Sequence, residues 1–573
     1  MLIQAAEQVA ETGAANLVAG LLTFVLLLTV LLSVPISFGL IWLYRRAVMK
    51  SMRISTRPSA NETPPPVLTP PNKAMQPPPA PVIVDCASST ISTPAARDLY
   101  AEVLHGPWRA AAIYAFAGAC FALTLTVATL IAEHIVDKGF WTNTLRFLFL
   151  FWIYIWPLVL TVNLVASSTW RAKLATASVY FLGFAILTAI ATAKSPLPVW
   201  RTLVAWLLFN LLPMLLLLAI LNRKVRAVGP LVLVFLILVL AGPLVLILIA
   251  LSDKRFLHLV EEVGLHVGFG VIPILLGLVY LGFVLAGLIG WLTLRWIGSR
   301  YQRKKSSDQS IALDAIWLSF AFLYSLTMTS EGAVWLLSGL AAFLAYRVVA
   351  WIGFLLIAHN ADPTRRNARL LLLRVFSLGK RSERLFEALA THWRHGGSIQ
   401  LIAGADLATD NLEPHEFLDF LSGKLAGRFI NGQQAMDRRF SEVDFAPDQD
   451  GRFRVNEFFC REDSWKMVLT RLCNESDAVL MDLRGFSPEN GGCIFEINEL
   501  INVWGLGRVQ FIVDETTNEP FLLQCMQESW NHMRPTSPNR LDASTQIRLF
   551  RFEKRRGELR QLLHAISVAT TAP

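Results

Sequence analysis

Long apolar runs set the pattern of the first 360 residues of the chain. They lie at residues 17–43, 110–132, 146–167, 175–193, 202–221, 228–251, 268–294, 311–328 and 333–357. A helix needs roughly 18–20 apolar residues to cross a bilayer, and these runs reach that length. We therefore predict about nine transmembrane helices, and the run at 311–328 is the shortest of them.

A different pattern begins near residue 360, where short apolar runs alternate with amphipathic stretches. The apolar runs typical of strands lie at 370–376, 399–404, 453–459, 478–483, 509–514 and 547–552. The stretches typical of helices lie at 381–396, 413–428, 463–475, 492–503, 518–531 and 555–567. Such alternation predicts an α/β domain with a mostly parallel sheet and helices on both of its faces.

A proline-rich segment separates the first apolar run from the second. Its prolines are Pro64, Pro65, Pro66, Pro70, Pro71, Pro77, Pro78, Pro79 and Pro81. Such a run is typical of an extended spacer, and a proline-rich docking motif is the alternative. The predicted organisation is an N-terminal transmembrane helix at 1–44, a linker at 45–108, a bundle of about eight helices at 109–359 and an α/β domain at 360–573.

The charges of the loops indicate an orientation in the membrane. With the N-terminus outside, the inside loops hold Arg45, Arg46, Lys50, Arg53, Arg57, Arg171, Lys173, Arg223, Lys224, Arg226, Arg295, Arg300, Arg303, Lys304 and Lys305. The outside loops hold only Lys138, Lys194, Arg201, Lys254 and Arg255. Because basic residues favour the cytoplasmic side, we predict a bacterial inner (plasma) membrane protein with a cytoplasmic C-terminal domain.

Composition agrees with a membrane protein and argues against a nucleic-acid partner. Hydrophobic residues make up 54% of the chain and charged residues 17%, whereas roughly 25% are charged in average soluble proteins. The net charge of +9 comes largely from the basic residues beside span ends, where orientation already explains them. The lipid bilayer is therefore the predicted partner, and nucleic acid is not.

Common signatures of cofactor and metal chemistry are missing from the sequence. The six cysteines form no CxxC pair and no spacing with histidine that is typical of a metal site. No GxGxxG motif follows a strand, and no Walker, HExxH or GxSxG motif occurs. We therefore predict no metal site and no resident cofactor.

Ionisable residues inside the apolar runs bear on whether the bundle transports a solute. Charges buried in a membrane are costly and persist mainly where they serve a function. By the predicted boundaries, Asp314, Glu331 and Arg347 fall near span ends. A transporter or channel with a regulatory cytoplasmic domain is therefore the alternative interpretation of the chain.

Polar residues follow several of the predicted strands of the α/β domain. Because parallel strands end at one edge of a sheet, and sites in such sheets lie beyond that edge, we expect these residues to share a rim. The candidate binding residues on this rim are Ser377, Asp406, Asp482, Ser487 and Asp514.

Residues 476–500, SDAVLMDLRGFSPENGGCIFEINEL, hold the most informative motif. A buried strand, a serine-bearing loop and a helix that opens Cys-Ile-Phe-Glu-Ile resemble the Toll/interleukin-1 receptor (TIR) family. The resemblance covers roughly residues 368–568 and implies a flavodoxin-like fold with a mostly parallel sheet. Two features depart from the family pattern: Gly492 replaces a tryptophan, and the loop after residue 404 carries an extra helical segment.

The TIR resemblance implies homotypic assembly and, in some members, NAD cleavage. Glu496 occupies the position of the catalytic glutamate in members that cleave NAD, which would then be a substrate. The carboxylate would engage the nicotinamide ribose and stabilise the positive charge that develops as the glycosidic bond breaks. In the alternative interpretation, Glu496 is a solvated acid near a helix N-terminus, where acids are favourable.

The same strand also resembles the phosphoacceptor strand of response-regulator receiver domains, with Asp482 in the aspartate position. Those domains hold Mg²⁺ with an acidic pair after their first strand. Here that position contains Arg374-Val-Phe-Ser-Leu-Gly, which has no acid, although Lys554 could match the receiver lysine. We therefore favour a membrane-anchored signalling or defence-type protein with a TIR-like domain, and Asp482 is expected to stabilise its neighbouring loop.

Overall fold

The computed structural model describes most of the chain. The described ranges are 31–50, 82–85, 93–133, 140–166, 170–192, 227–252, 271–328, 333–359, 367–374, 380–403, 414–423, 425–443, 445–460, 464–540, 546–553 and 557–571, with a few isolated residues. The chain divides into two compact units. One, the helical unit, comprises residues 1–44, 110–360 and 412–421, and the other, the α/β unit, comprises 45–109, 361–411 and 422–573.

Apolar helices build the first part of the chain. They are α1 (Leu31–Lys50), α2 (Pro94–Ala132), α3 (Phe140–Tyr154), α4 (Pro157–Val165), α5 (Trp170–Thr192), α6 (Gly229–Ser252), α7 (Val271–Gln302), α8 (Asp308–Thr327) and α9 (Leu337–His359). Within the described residues, five helices are long and apolar enough to cross a membrane. The count rises to six if α3 and α4, which meet at a bend of 44°, form one broken span.

This count is lower than the nine spans expected from the sequence. The run at 17–43 is described from residue 31 onward as α1 and is counted, whereas the run at 202–221 lies almost entirely outside the described residues. Helix α6 enters only as a shorter apolar helix, Gly229–Pro243. The run at 311–328 forms α8, which is not among the helices that meet the length and hydropathy test. The described residues therefore contain five or six candidate membrane spans, fewer than the nine predicted.

Helix α8 is the interior helix of the helical unit. Trp317, Phe320 and Tyr324 are each at most 2% exposed and belong to one apolar cluster. Gly339 of α9 lies against it so closely that a Cβ atom there would stand 2.3 Å from the backbone oxygen of Ala321. Small residues at such contacts let membrane helices approach closely and gain van der Waals packing.

The second part of the chain forms a seven-stranded sheet. Its strands are β1 (Val82–Asp85), β2 (Ala368–Arg374), β3 (Gly397–Ala403), β4 (Val455–Phe459), β5 (Ala478–Asp482), β6 (Val509–Val513) and β7 (Gln546–Arg551). They lie in the order β1-β7-β6-β5-β2-β3-β4, and every pair is parallel. The sheet therefore agrees with the predicted mostly parallel architecture.

Helices alternate with the strands after residue 368. They are α10 (Lys380–Trp393), α11 (Pro414–Leu421), α12 (Gln433–Glu442), α13 (Trp465–Glu475), α14 (Gly491–Val503), α15 (Glu519–Asn531) and α16 (Glu558–Ala569). Side chains of α13, α14 and α15 share one apolar cluster with alternate residues of β5 and β6. Helix α16 contacts the same two strands, but its buried residues lie outside that cluster, which puts it on the opposite face.

The five central strands follow the flavodoxin-like order. Taken in chain order, β2, β3, β5, β6 and β7 are arranged as 2-1-3-4-5, with β4 and β1 added at the two edges. In such sheets the strand order reverses between the first and third strands, and ligands bind in the crevice at that switch point. Here the switch point lies between β2 and β5.

Part of the predicted linker belongs to the α/β unit. Strand β1 pairs with β7, so that Ile83 lies opposite Ile547. The first half of α2 also belongs to this unit, where Gly106 lies against the side chain of His395. The α/β unit is therefore discontinuous in sequence, whereas the sequence pattern confined it to residues 360–573.

Candidate functional site

The switch point is defined by the last residues of two neighbouring strands. Arg374 ends β2 and lies in register with Asp482, which ends β5. Helix α14 begins nearby, since the Sγ atom of Cys493 lies 3.8 Å from the backbone oxygen of Arg374. The elements that the switch-point rule identifies therefore meet here, and α14 lies beside the end of β2.

Asp482 is held by an arginine two residues further along the chain. The Nε and Nη2 atoms of Arg484 donate hydrogen bonds to its two carboxylate oxygens, at 2.8 and 2.7 Å. Both side chains are buried, at 3% and 5% exposed. A forked pair of this kind is strong and directional, so Asp482 is engaged in fixing the loop after β5. This arrangement agrees with the structural role expected from the sequence.

Two loops of the rim are joined by hydrogen bonds. The Thr517 hydroxyl donates to the backbone oxygen of Leu483 at 3.0 Å, and the Asn518 backbone N–H donates to that of Phe486 at 3.0 Å. The loop after β6 is thereby attached to the loop after β5. These bonds fix the positions of Ser487 and Asp514, the predicted rim residues in the two loops.

Ser487 and Asp514 each form hydrogen bonds within their own loop. The hydroxyl of Ser487 donates to the side-chain oxygen of Asn490 at 3.1 Å, and its backbone N–H donates to the same atom. The carboxylate of Asp514 accepts from the backbone N–H of Thr516 at 2.9 Å. The structure therefore brings Asp482, Ser487 and Asp514 to one rim. The other two predicted rim residues, Ser377 and Asp406, lie outside the described residues.

Glu496 lies one turn into α14 and points into the protein. It is 3% exposed, so the interpretation of Glu496 as a solvated acid is wrong. Within the residues that the structure describes, its Oε2 atom has no hydrogen-bond partner. Burial disfavours the charged form of a carboxyl group, and it raises the pKa of Glu496 to about 8. The group is therefore mostly protonated at neutral pH.

Two cysteines share the environment of Glu496. Burial, and after it the charge of Glu496, raise the pKa values of Cys473 and Cys493 to about 12. Thiols with such high pKa values are not nucleophiles at neutral pH, because the thiolate is the reactive form. Of these three buried groups, only Glu496 has a pKa close to neutral pH.

Metal-dependent phosphorylation has little support in this geometry. Within the described residues, no group of three or more histidine, cysteine, aspartate or glutamate side chains could hold a metal ion. The carboxylate of Asp482 faces a guanidinium group rather than other acids. Lys554, the candidate receiver lysine, lies outside the described residues.

A second polar site, which the sequence pattern did not indicate, lies in the helical unit. Nη1 of Arg347 donates to the Asp314 carboxylate, at 2.7 and 2.9 Å from its two oxygens. Both residues were expected near span ends, but Arg347 lies close to the middle of the predicted run at 333–357 and of the candidate span Val334–Ile357. The spacing between the two residues, 33 positions, gave no signal that they would meet.

Backbone oxygens near the break between α3 and α4 accept hydrogen bonds from side chains of the helical unit. The hydroxyl of Tyr180 donates to the backbone oxygen of Trp152 at 3.2 Å. The hydroxyl of Tyr324 donates to that of Ile153 at 3.4 Å. Neighbouring side chains often re-satisfy backbone groups that a broken membrane helix releases. These two carbonyls therefore have protein partners and need no bound ion.

Comparison of the chain with protein-family models, with curated proteins and with solved structures found no match. Because a fold alone does not determine an activity, the function must be inferred from the residues of the site.

Proposed function

We propose that this chain is a membrane-anchored signalling or defence-type protein whose α/β unit is TIR-like and cleaves NAD with Glu496. The observation that carries the proposal is the position of this glutamate. It is a buried acid with an oxygen that has no partner among the described residues, on the helix that starts at the switch point of a flavodoxin-like sheet. Ligand sites in such sheets lie at that point, and strongly perturbed carboxyl groups concentrate at functional sites.

Hydrolysis of NAD by this route requires one carboxylate and one water molecule. The bond between the ribose C1′ atom and the nicotinamide nitrogen breaks, and its electron pair leaves with the nicotinamide. The carboxylate of Glu496 stabilises the cationic sugar that remains, in a site where burial strengthens the electrostatic attraction. Water then adds to C1′ and loses a proton, which gives ADP-ribose. The positive charge of bound nicotinamide favours the ionised form of Glu496.

The test uses the full chain in detergent micelles or nanodiscs, incubated with NAD while free nicotinamide is measured. We expect release by the wild type and a loss of at least about 100-fold in Glu496→Gln. The matched control is Glu499→Gln on the same helix, because Glu499 already has partners in Thr470 and Arg534 and should keep most activity. Absence of nicotinamide release at high protein concentration, where assembly is favoured, contradicts the enzymatic part of the proposal.

Self-assembly of the α/β unit is the second part of the proposal. Large apolar residues exposed on the described surface of this unit are Val82, Ile83 and Trp108. The first two lie on β1, an edge strand, and exposed edges can pair with another chain. Light scattering of the full chain should show concentration-dependent association, which Val82→Lys with Ile83→Lys should reduce. A monomer at all concentrations contradicts assembly.

A transporter or channel is the alternative function, and the pair of Arg347 and Asp314 is the observation that favours it. Charged residues at membrane depth often mark the pathway of an ion or a proton. Proteoliposomes containing the chain and a pH-sensitive dye would report proton flux that Asp314→Asn abolishes. Flux through the wild type, together with no release of nicotinamide, would favour the transporter over the TIR-like enzyme.

A further inference from the structure

Helix α7 packs into the helical unit on one side only. Leu294 and Tyr301 are at most 7% exposed and belong to an apolar cluster of that unit. Leu288 and Leu292 lie one turn apart on the opposite side, and each is more than half exposed. Residues three, four and seven positions apart share a side of a helix. The open face of α7 therefore comprises Leu288, Leu292, Arg295, Trp296 and, directly after the helix, Arg303.

The open face changes from apolar to basic where the apolar run of α7 ends. Residues 271–294 contain no charged side chain. A helix of this length is about 36 Å long, and the hydrocarbon of a bilayer is roughly 30 Å thick. Arg295 and Trp296 follow at once, and both are exposed. If α7 crosses the bilayer, these two side chains lie at the depth of the lipid headgroups.

Arg303 lies on the same face as Arg295 and Trp296. Its backbone N–H donates to the backbone oxygen of Ser299 at 3.1 Å, so the helical geometry extends to this residue. Arginine side chains are long enough to reach headgroups from an apolar surface. Indole rings such as that of Trp296 are favoured at the interface between hydrocarbon and water. The residue types of this region are therefore those that contact the polar part of a lipid.

Arg300 limits the movement of the Trp296 ring. The Cζ atom of Arg300 lies 4.9 Å from the centroid of that ring. Its Nη2 atom donates to the backbone oxygen of Lys305 at 3.3 Å. A guanidinium group is attracted to the face of an indole ring. Trp296 is therefore held beside the basic end of the open face.

The end of α7 and the turn after it carry positive charge without an acid. Residues 295–305, RWIGSRYQRKK, contain five basic side chains and no aspartate or glutamate. Orientation in the membrane explains an excess of basic residues in loops, but Arg295 precedes the loop and lies on the open face of a candidate span. Basic clusters beside a membrane span attract anionic lipid headgroups.

We propose that the open face of α7 binds an anionic phospholipid. Its headgroup lies against Arg295 and Arg303, and its acyl chain lies along Leu292 and Leu288. An apolar surface and a basic end share this face, and a lipid joins a phosphate to a hydrocarbon chain in the same order. An acidic protein or a nucleic acid would match the charges but not the apolar part.

Photo-labelling can locate the lipid. The full chain in phosphatidylcholine nanodiscs receives a trace of phosphatidylglycerol with a diazirine on its acyl chain, and mass spectrometry maps the labelled peptides after illumination. We expect this probe to label residues 285–296 more strongly than a phosphatidylcholine probe with the same diazirine. Equal labelling by the two probes overturns the proposal, because it shows contact with acyl chains without recognition of the headgroup.

Removing the charges provides a second measurement. Arg295→Gln with Arg303→Gln should lower labelling by the phosphatidylglycerol probe by roughly tenfold, whereas the phosphatidylcholine probe should be unaffected. Arg295→Lys with Arg303→Lys keeps the charges and should keep most of the labelling. The matched control is Arg146→Gln, because Arg146 lies in another candidate span but is paired with Glu133.

Unchanged thermal midpoints would show that these variants fold, as expected for changes at exposed positions. Labelling that does not fall in the double glutamine variant, or that falls equally in the control, overturns the proposal.

A soluble headgroup and salt distinguish a lipid site from a simple anion site. Excess glycerol phosphate should leave the labelling unchanged, because it has no acyl chain. Added salt should weaken the labelling, because exposed charges are screened. Complete competition by glycerol phosphate would indicate an anion site without lipid and would overturn the proposal. No step measures nicotinamide, so the result is independent of the test of the proposed enzyme.

Discussion

A carboxyl group with an unpartnered oxygen in a protein interior destabilises the folded state whenever it is charged. Within the part of the chain that the structure describes, Glu496 is such a group, on a helix whose other inward residues are mostly apolar. The motif around it predicted the residue type and the helix, but not the burial, because burial depends on how α13 packs beside α14. The sequence likewise gave no sign of the contact between Arg347 and Asp314, which depends on how α8 and α9 pack.

The titration of Glu496 should appear in the stability of the α/β unit. Its pKa rises from 4.5 in the unfolded chain to about 8 in the folded protein, so the folded state binds the proton more tightly. The stabilisation is complete below the unfolded pKa and is lost as pH rises through the folded pKa. Relative to Glu496→Gln, the free energy of unfolding of the wild type should fall by about 1.4 kcal/mol per pH unit in this window.

The measurement is thermal unfolding of wild type and Glu496→Gln at a series of pH values between about 5 and 8. The change removes one titrating group and keeps the shape of the side chain, so other groups cancel in the difference. Parallel stability curves would show that Glu496 does not titrate in this range.

The pair of Arg347 and Asp314 should behave as a coupled unit. Removing one charge leaves the other without its partner, so Arg347→Gln alone should destabilise the helical unit by at most about 3 kcal/mol. About a quarter of each side chain is exposed. The expected loss of stability therefore lies at the low end of the range for buried ion pairs. Combining Arg347→Gln with Asp314→Asn should restore most of the loss, measured as the thermal midpoint in detergent. Additive losses in the double variant would contradict the pairing.

At the scale of elements, the alternation of strands and helices after residue 368 was predictable in detail. Strand β5, for example, spans Ala478–Asp482, where the pattern indicated 478–483. Strand β1 was missed because its four residues follow prolines, and a short apolar run alone cannot be distinguished from linker. Helix α12 was missed because it buries little besides Met436, so its apolar periodicity is weak.

The contact of α8 with α9 should tolerate no side chain at residue 339. A Cβ atom there would overlap the backbone oxygen of Ala321, which cannot rotate away. Gly339→Ala should therefore destabilise the helical unit by about 1–3 kcal/mol, seen as a lower midpoint of thermal unfolding in detergent. Gly277→Ala is the control, because a Cβ atom at residue 277 meets nothing within 4 Å. Equal behaviour of the two variants would show that the helices can separate.

Of two neighbouring residues in β1, only one should be sensitive to substitution by proline. On an edge strand, successive residues point their N–H groups in turn toward the neighbouring strand and toward solvent. Proline has no N–H, so only one of Ile83→Pro and Val84→Pro should raise amide exchange in β7, by roughly tenfold. Equal effects of both changes, or no effect of either, would mean that β1 does not pair with β7 as described.

At the scale of the whole molecule, the distribution of basic loop residues predicts the location of the α/β unit. A fluorescent protein that folds only in the cytoplasm, fused after Pro573, should give full signal in bacterial cells. Alkaline phosphatase, which is active only in the periplasm, should give background activity at the same position. The opposite pair of results would reverse the predicted topology and move the α/β unit outside the cell.

The discontinuous sequence of the α/β unit affects how the chain is made. Strand β1 leaves the ribosome long before its partner β7, because residue 85 precedes residue 546. At roughly 5–20 residues per second, the ribosome needs about 20–90 s to synthesise that interval. During that time α2 to α9 are synthesised while β1 has no partner strand. The sheet therefore reaches its full width only after α2 to α9 have left the ribosome, which makes the pairing of β1 with β7 a late step in folding.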